Sequence, residues 1–364
     1  MIRIGIIGTG GMAHSHAVRF GKIRGCRVTA CCDIVFSRAE EFARKHGIPA
    51  VYNDAEKMFS EEQLDCVSIV TSDRAHAPVA IAAAHYGIHI MCEKPLATSF
   101  PEAMRMVKAA QKRKLITAVN FSYRNSPATQ KAAQLVKEGV LGRILHVEGS
   151  YLQSWLVSKI WGDWKTKPSL LWRLSTRHGS AGTLGDIGVH LYDLASFVVG
   201  DFAEISCTLK TFDKGTRQIG EYILDANDSM IATVKFSCGA IGTLHASRWA
   251  TGHTNSISLR VFGDKGGLDL NLDRPAPETL RICAGRDKDK STWRPVRCPA
   301  VPDMYQRFIN ALRTGTKCQA NFETGAKVQA YLDTSFESEK KGGFIKIKLR
   351  EVLNGKNSEC SCVE

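Results

Sequence analysis

Apolar and polar positions follow two different rhythms along this chain. Up to about residue 121, short apolar runs alternate with stretches whose apolar residues recur at helical spacing. Ile4 to Gly8, Val28 to Cys32, Val51 to Tyr52, Cys66 to Val70, His89 to Cys92 and Ile116 to Asn120 read as strands. Strand and amphipathic helix in alternation predict a parallel sheet wrapped on both faces, the doubly wound arrangement that binds nucleotides. Between the strands, Ser37 and Glu40 have the spacing of a capping box, Gly47 and Gly87 mark helix ends, and Pro101 suits a first helical turn.

Beyond a helix predicted at about Pro127 to Glu138, the period changes. Ile144 to Gln153, Ala203 to Phe212, Ser229 to Phe236, Ala240 to Trp249 and Ser256 to Phe262 come close to alternation and are separated by Gly or Asp turns. They predict an antiparallel sheet. A helix from Asp186 to about Val198 interrupts it, and another from about Asn321 to Lys340 follows it. Residues after about Asn354 read as disordered.

With 364 residues, 44% of them hydrophobic, the chain can fill two cores. The net charge of +13 is scattered, apart from a modest basic stretch at Lys340 to Arg350, and no basic stripe with interleaved aromatics is present. That argues against nucleic acid as a partner and suits a solvated surface or attraction of an anionic cofactor or substrate. Of twelve cysteines, Cys31, Cys32, Cys66 and Cys92 lie in apolar strands, where Cys acts as a small hydrophobe, so no disulfide framework is expected. Met1 runs directly into a strand, and no apolar stretch reaches membrane-spanning length. The expectation is therefore no signal peptide, no membrane partner and a reducing, cytoplasmic setting. Cys360 and Cys362 read as part of a frayed tail rather than a metal site.

Four motifs carry candidate chemistry. Gly8-Thr9-Gly10-Gly11-Met12-Ala13 follows the first strand, with glycines for a tight turn and close approach to a pyrophosphate at the start of a helix. Asp33 ends the second strand, where a carboxylate can bond both ribose hydroxyls of an adenosine and repel a 2′-phosphate. NAD is thus expected over NADP, although Ser37 and Arg38 stand close enough to leave NADP possible. The second motif is the run Ile90-Met91-Cys92-Glu93-Lys94-Pro95, which ends an apolar strand on a lysine beside a rigid proline, an arrangement suited to an active site. In the third, Asp186 and His190 in Gly185-Asp186-Ile187-Gly188-Val189-His190 fall one helical turn apart, so that carboxylate and imidazole can address one substrate. No third ligand is patterned nearby, so no metal is expected there. Thr71-Ser72-Asp73-Arg74-Ala75-His76 closes the fourth strand at the edge where open sheets bind ligands, with Thr71 and His76 as candidate ribose contacts and a helix cap as the other reading of His76.

Together with Asn120-Phe121-Ser122-Tyr123-Arg124, these motifs resemble, in order and spacing over roughly residues 1 to 350, the glucose-fructose oxidoreductase, inositol dehydrogenase and rhizopine-catabolism (Gfo/Idh/MocA) family. The resemblance implies an NAD(P)-binding Rossmann domain over 1–121 and an α+β substrate and oligomerisation domain over 122–354 with a large, open, mostly antiparallel sheet. Residues 355–364 are left as a disordered tail. It implies an oxidoreductase moving hydride between nicotinamide and a hydroxyl of a sugar, cyclitol or similar polyol, working as a homodimer or homotetramer. Carried residue by residue, Lys94 sits beside the reacting hydroxyl, Asp186 binds or orients substrate, and His190 is the acid/base. Gly8, Gly10, Gly11, Met12, Ala13, Asp33, Arg38, Thr71, His76, Glu93 and Lys94 would hold the cofactor, and a cis peptide before Pro95 would be common in the family. Redox-assisted glycoside cleavage and a non-catalytic nucleotide or sugar sensor are the rival functions. The chain departs from the family where Ser72-Asp73 replaces the usual Pro-Asn and where Ala13 replaces the third glycine.

Four of the six tryptophans, Trp155, Trp161, Trp164 and Trp172, cluster beside Lys165, Lys167 and Arg173. Aromatic faces pack on sugar C–H faces, so the segment reads either as a substrate lid or as an anchor to the core or a partner. Arg124, Trp172 and Arg173 are the candidate substrate contacts.

Overall fold

The computed structural model describes residues 1–273 and 276–348; the expected disordered tail, Cys360 and Cys362 lie outside them. The chain opens with six parallel strands, β1 (Ile2–Ile7), β2 (Cys26–Cys32), β3 (Ala50–Tyr52), β4 (Cys66–Ile69), β5 (His89–Cys92) and β6 (Thr117–Val119). They lie in the order β3-β2-β1-β4-β5-β6. Helices α1 (Gly11–Gly21), α2 (Phe36–His46), α3 (Ala55–Glu61), α4 (Asp73–His85) and α5 (Phe100–Lys112) connect them. Strand order reverses between β1 and β4, and the crevice at the carboxyl ends of those strands is where such sheets take ligands. This doubly wound Rossmann sheet is the one its apolar rhythm predicts, with β1 residues Ile4 and Ile6 fully buried.

After α6 (Pro127–Lys137), strand β7 (Ile144–Leu152) begins the second sheet. Helices α7 (Pro168–Leu171) and α8 (Val189–Val198) precede β8 (Phe202–Lys210), the short pair β9 (Gln218–Ile219) and β10 (Tyr222–Ile223), β11 (Ser229–Phe236), β12 (Ile241–Ser247) and β13 (Ser256–Gly263). Strands β14 (Gly266–Asn271), β15 (Thr279–Ala284) and β16 (Arg294–Pro295) lead to helices α9 (Met304–Thr314) and α10 (Phe322–Lys341), and β17 (Ile345–Lys346) follows. Nine strands align as β16-β15-β14-β13-β7-β12-β11-β8-β17. The sheet is antiparallel except where β7 and β12 run parallel at its centre. Burial alternates strictly along β11, so one face packs under helices while Ile231 and Ile241 stand 60% and 52% exposed on the other.

Three features differ from the sequence reading. Ser37 lies inside α2, whose N-cap is Val35, so no capping box forms; the Asp33 carboxylate instead accepts the Val35 N–H at 2.9 Å. The hairpin β14–β15 and helix α9 were not anticipated. Helix α10 returns to the first sheet, with Gly325 so close to Leu96 and Val119 that a Cβ there would meet their side chains at 2.8 Å. That close return joins the two layers and fixes the cleft between them.

Candidate functional site

At the end of β1, Gly8 has φ +85°, and a Cβ there would sit 2.6 Å from the Val70 carbonyl oxygen. Only glycine fits. Gly10 caps α1 without any side-chain bond, and a Cβ on Gly10 or Gly11 would meet nothing within 4 Å. The first amides of α1 therefore face open space, as an approaching pyrophosphate requires. Ala13 is fully buried among Ile6 and Val70, packing α1 onto the sheet as the third glycine of the fingerprint would. Thr9 N and Oγ1 donate to Asp33 Oδ2 at 2.8 and 2.9 Å, so Asp33 braces the glycine turn as well as ending β2. Arg38 is exposed on the first turn of α2.

At the end of β5 the backbone delivers Glu93 inward and Lys94 toward the second sheet, with the Lys94–Pro95 peptide cis. Glu93 Oε1 accepts from Asn120 Nδ2 at 2.6 Å and meets His16 Nε2 at 2.9 Å. His16 Nδ1 lies 2.7 Å from Ser68 Oγ, and Asn120 Nδ2 also donates to the Tyr305 hydroxyl at 3.1 Å. Burial works to raise the Glu93 carboxyl, but bonding and charge from His16, with Asn120 and Lys94, bring it down to about 2.

Lys94 Nζ donates to the Asp186 carbonyl at 2.9 Å and to Asp186 Oδ1 at 3.3 Å. Asp186 sits in a π-helical turn, Leu184–Gly188, that leads into α8. Its Oδ2 accepts from Arg248 at 3.0 Å and lies 3.5 Å from Arg173 Nε. Desolvation opposes ionisation, yet the charges of Lys94, Arg173 and Arg248 hold the Asp186 carboxyl well below the usual carboxylate range. His190, on the first turn of α8, lies edge-on to Tyr123 at 5.1 Å, and its Nδ1 is buried without a partner among the described residues. Burial first, then the Lys94 ammonium, lowers His190 to about 3, so it is neutral at physiological pH. Lys94, Asp186 and His190 line one cleft of about 840 Å³ that also reaches Gly10, Gly11, Met12 and Thr71.

Other expected contacts fall differently. His76 is fully buried, with Nδ1 2.9 Å from the Pro95 carbonyl and Nε2 3.2 Å from that of Thr71. It ties two cleft loops together rather than meeting a ligand, which corrects its place among the cofactor contacts. Arg124 is also turned inward: its guanidinium pairs bidentately with Asp193, at 2.6 and 2.9 Å, and lies 4.3 Å over Phe197. A buried Arg so occupied is no substrate contact. Trp172 and Arg173 do line the cleft, stacked at 4.8 Å, as does Trp161. Trp155 and Trp164 instead fill a cluster with Leu156, Leu170, Leu171, Leu174 and Leu224. The tryptophan segment thus divides between the two readings.

Sequence reasoning missed Arg248, Tyr151 and Gln153. Tyr151 Oη lies 2.6 Å from the Tyr123 hydroxyl and donates to Asn255 Oδ1, which Gln153 Nε2 also reaches at 2.8 Å. Tyr151 and Gln153 end a strand facing the cleft, so their polarity at a strand terminus was an available signal; Arg248 offered none. Among the described residues no group of three or more His, Cys, Asp or Glu is arranged to hold a metal ion. No helix among them is long and apolar enough to cross a membrane.

Comparison with known proteins agrees with this architecture. Residues 2–121 match the model of an oxidoreductase family with an NAD-binding Rossmann fold, and residues 129–269 match the GFO/IDH/MocA C-terminal domain. A levoglucosan dehydrogenase of Pseudarthrobacter phenanthrenivorans is 28% identical, over 95% of this chain and 98% of the relative. A D-glucoside 3-dehydrogenase of Escherichia coli is 31% identical over 74% and 77% of the two chains, and a myo-inositol 2-dehydrogenase of Thermotoga maritima 27% over 97% and 100%. The solved structure of levoglucosan dehydrogenase in complex with NADH and levoglucosan superposes with a TM-score of 0.85 at 26% identity, covering 95% of this chain and 99% of that one.

Proposed function

Since this chain belongs to the Gfo/Idh/MocA family of NAD-binding oxidoreductases, we propose that it oxidises a hydroxyl of a sugar, cyclitol or similar polyol with NAD in preference to NADP. The observation that carries this reading is the convergence of Lys94, Asp186 and an uncharged His190 on the cleft that begins at the open glycine turn. The turn fits the cofactor: Gly8 cannot bear a Cβ, Gly10 and Gly11 leave room beside the uncapped α1, and Asp33 stands at the end of β2. Glu93, Lys94, Met12 and Thr71 border the same space. Bound there, nicotinamide supplies the hydride acceptor.

The protein's own groups then account for the proton. A hydroxyl carbon yields hydride readily only as its oxygen loses a proton, so neutral His190 accepts that proton as general base. Lys94 donates two of its three N–H groups to Asp186, leaving one for the hydroxyl oxygen, where its charge stabilises the developing alkoxide. Asp186 orients Lys94 and borders the substrate. Trp172 and Arg173 offer an aromatic face and a donor to the rest of the ring. The outer face of the nine-stranded sheet, with Ile231 and Ile241 exposed, is the surface by which we expect a dimer or tetramer of this cytoplasmic enzyme to assemble.

Purified protein with NAD should form NADH, followed by absorbance, with at least one member of a panel of inositols, aldoses, amino sugars, uronates, levoglucosan and D-glucosides. Cleavage of a glycoside without net NADH would favour the redox-assisted hydrolase instead. Absence of both reactions would leave a sensor.

A further inference from the structure

Arg248 follows strand β12 and is fully buried. Its guanidinium donates to Asp186 Oδ2 at 3.0 Å, to the Arg173 carbonyl at 3.0 Å and to the Gly182 carbonyl at 3.3 Å, and lies 5.1 Å over the Trp155 ring. Its Nε has no hydrogen-bond partner among the described residues. Removing an arginine from water costs free energy that incomplete hydrogen bonding does not offset, so its place calls for a reason beyond packing. Asp186 is the only carboxylate its side chain pairs with among the described residues.

The geometry of that pairing shows what the charge does. Arg248 holds Oδ2 from behind, which turns Oδ1 and the Asp186 carbonyl toward Lys94. The same guanidinium fixes the main chain at Arg173 and Gly182, where the π-helical turn and the cleft wall begin. Arg248 does not border the cleft, so it reaches the reacting atoms only through Asp186. We propose that Arg248 is a positioning residue: it clamps Asp186 and the Arg173–Gly182 wall so that Lys94 presents its remaining N–H to the substrate hydroxyl. This rests on the reading of Lys94 and His190 given above.

The test compares Arg248→Gln and Arg248→Lys with wild type in the presence of NAD, using whichever member of the polyol panel wild type oxidises fastest. Arg248→Gln should lower kcat by about 10²-fold, the scale of an ångström-sized misplacement at a reacting centre, while NAD affinity by titration stays within about threefold. Arg248→Lys, which keeps the charge but not the fork, should recover about tenfold of that loss. On the acid side kcat/KM should begin to fall at higher pH in Arg248→Gln than in wild type, because Asp186 protonates more readily once a counter-charge is gone and its protonation then adds to that of His190. A merely structural arginine would lower melting temperature and NAD affinity together and leave the pH profile in place, which overturns the proposal, as would Arg248→Gln turnover within about threefold of wild type. Should Arg248→Gln not fold, Arg248→Lys decides alone: a tenfold fall in kcat at unchanged NAD affinity supports positioning, and wild-type turnover overturns it. If wild type oxidises no panel member, the hydride-transfer reading fails separately. The Asp186 carboxyl is then titrated by carbon-13 NMR, its signal identified by loss in Asp186→Asn. Titration at higher pH in Arg248→Gln than in wild type supports the clamp, and an unchanged titration overturns it.

Discussion

A histidine that must accept a proton at neutral pH has to be uncharged there, and the surroundings of His190 secure this by burial and by the Lys94 ammonium, which bring it to about 3. An unshifted imidazole would give a rate rising through pH 6.5. The expectation here is a profile flat from about pH 8 to about 5 that falls only toward the shifted value, and a limb centred near 6.5 would contradict this role. His190→Ala and Lys94→Ala should each lower turnover by about 10²- to 10⁴-fold, and the double variant should be little worse than the poorer single, because in the proposed reaction both serve one proton transfer. The same shift bears on stability. The unfolded chain holds a proton on His190 below about 6.5 and the folded chain does not, so stability is full above that value and declines as pH falls toward 3. His190→Gln should therefore lose less melting temperature than wild type between pH 7 and pH 4.5, and an equal loss would contradict the shift. At the cofactor end, Asp33→Ala should weaken NAD and relieve discrimination against NADP; titration showing wild type to bind NADP at least as tightly as NAD would refute this reading of Asp33. The places of these residues in the fold were legible because each stands in a motif whose spacing sets where it falls on a strand end or helix turn. His76 and Arg124 misled because a motif fixes where a side chain starts, while the Pro95 carbonyl and Asp193 that claim them come from elsewhere in the chain.

Helices and strands show the same division between local and distant causes. The first sheet was readable because buried parallel strands are apolar throughout, whereas β14 opens on Gly266 and Gly267, which weaken its strand signal, and is held by pairing with β13 and β15. Helix α9 carried a signal that went unread: Asp303 at its N-cap accepts the Gln306 N–H at 2.8 Å, Gly315 ends it in the left-handed conformation, and Met304, Tyr305, Phe308 and Ile309 are buried along one side. Tyr305 places this helix against the site, since its hydroxyl accepts from Asn120. Asp303→Ala should cost about 1 kcal/mol, the usual worth of such a cap. The exposed Arg19 pair adds little to that. Thermal unfolding should show a melting temperature lower by a few degrees with the kcat of the proposed reaction retained, and an unchanged melting temperature would mean that the cap is replaced by water.

The cleft belongs to the molecule as a whole, because one wall comes from the carboxyl ends of the parallel strands and the other from the segment between β7 and α8. Sequence pattern reveals two layers, but not that α10 crosses back onto β6, since that contact depends on the lack of a side chain at Gly325 rather than on any local period. The tryptophans report on the same arrangement. Trp161 and Trp172 face the cleft, while Trp155 and Trp164, at 1% and 6% exposure, pack into the cluster that supports the cleft wall. A nicotinamide held in the cleft would face the first pair, which line it, so adding NADH should quench tryptophan emission with energy transfer to the reduced ring. Trp172→Phe and Trp161→Phe should remove most of that transfer and leave the melting temperature close to wild type. Trp164→Phe should do the opposite, lowering the melting temperature by opening space in a packed cluster while the transfer persists. Equal losses of transfer from all three variants would show that the segment moves as one unit on binding, and no transfer at saturating NADH would place the cofactor away from this wall.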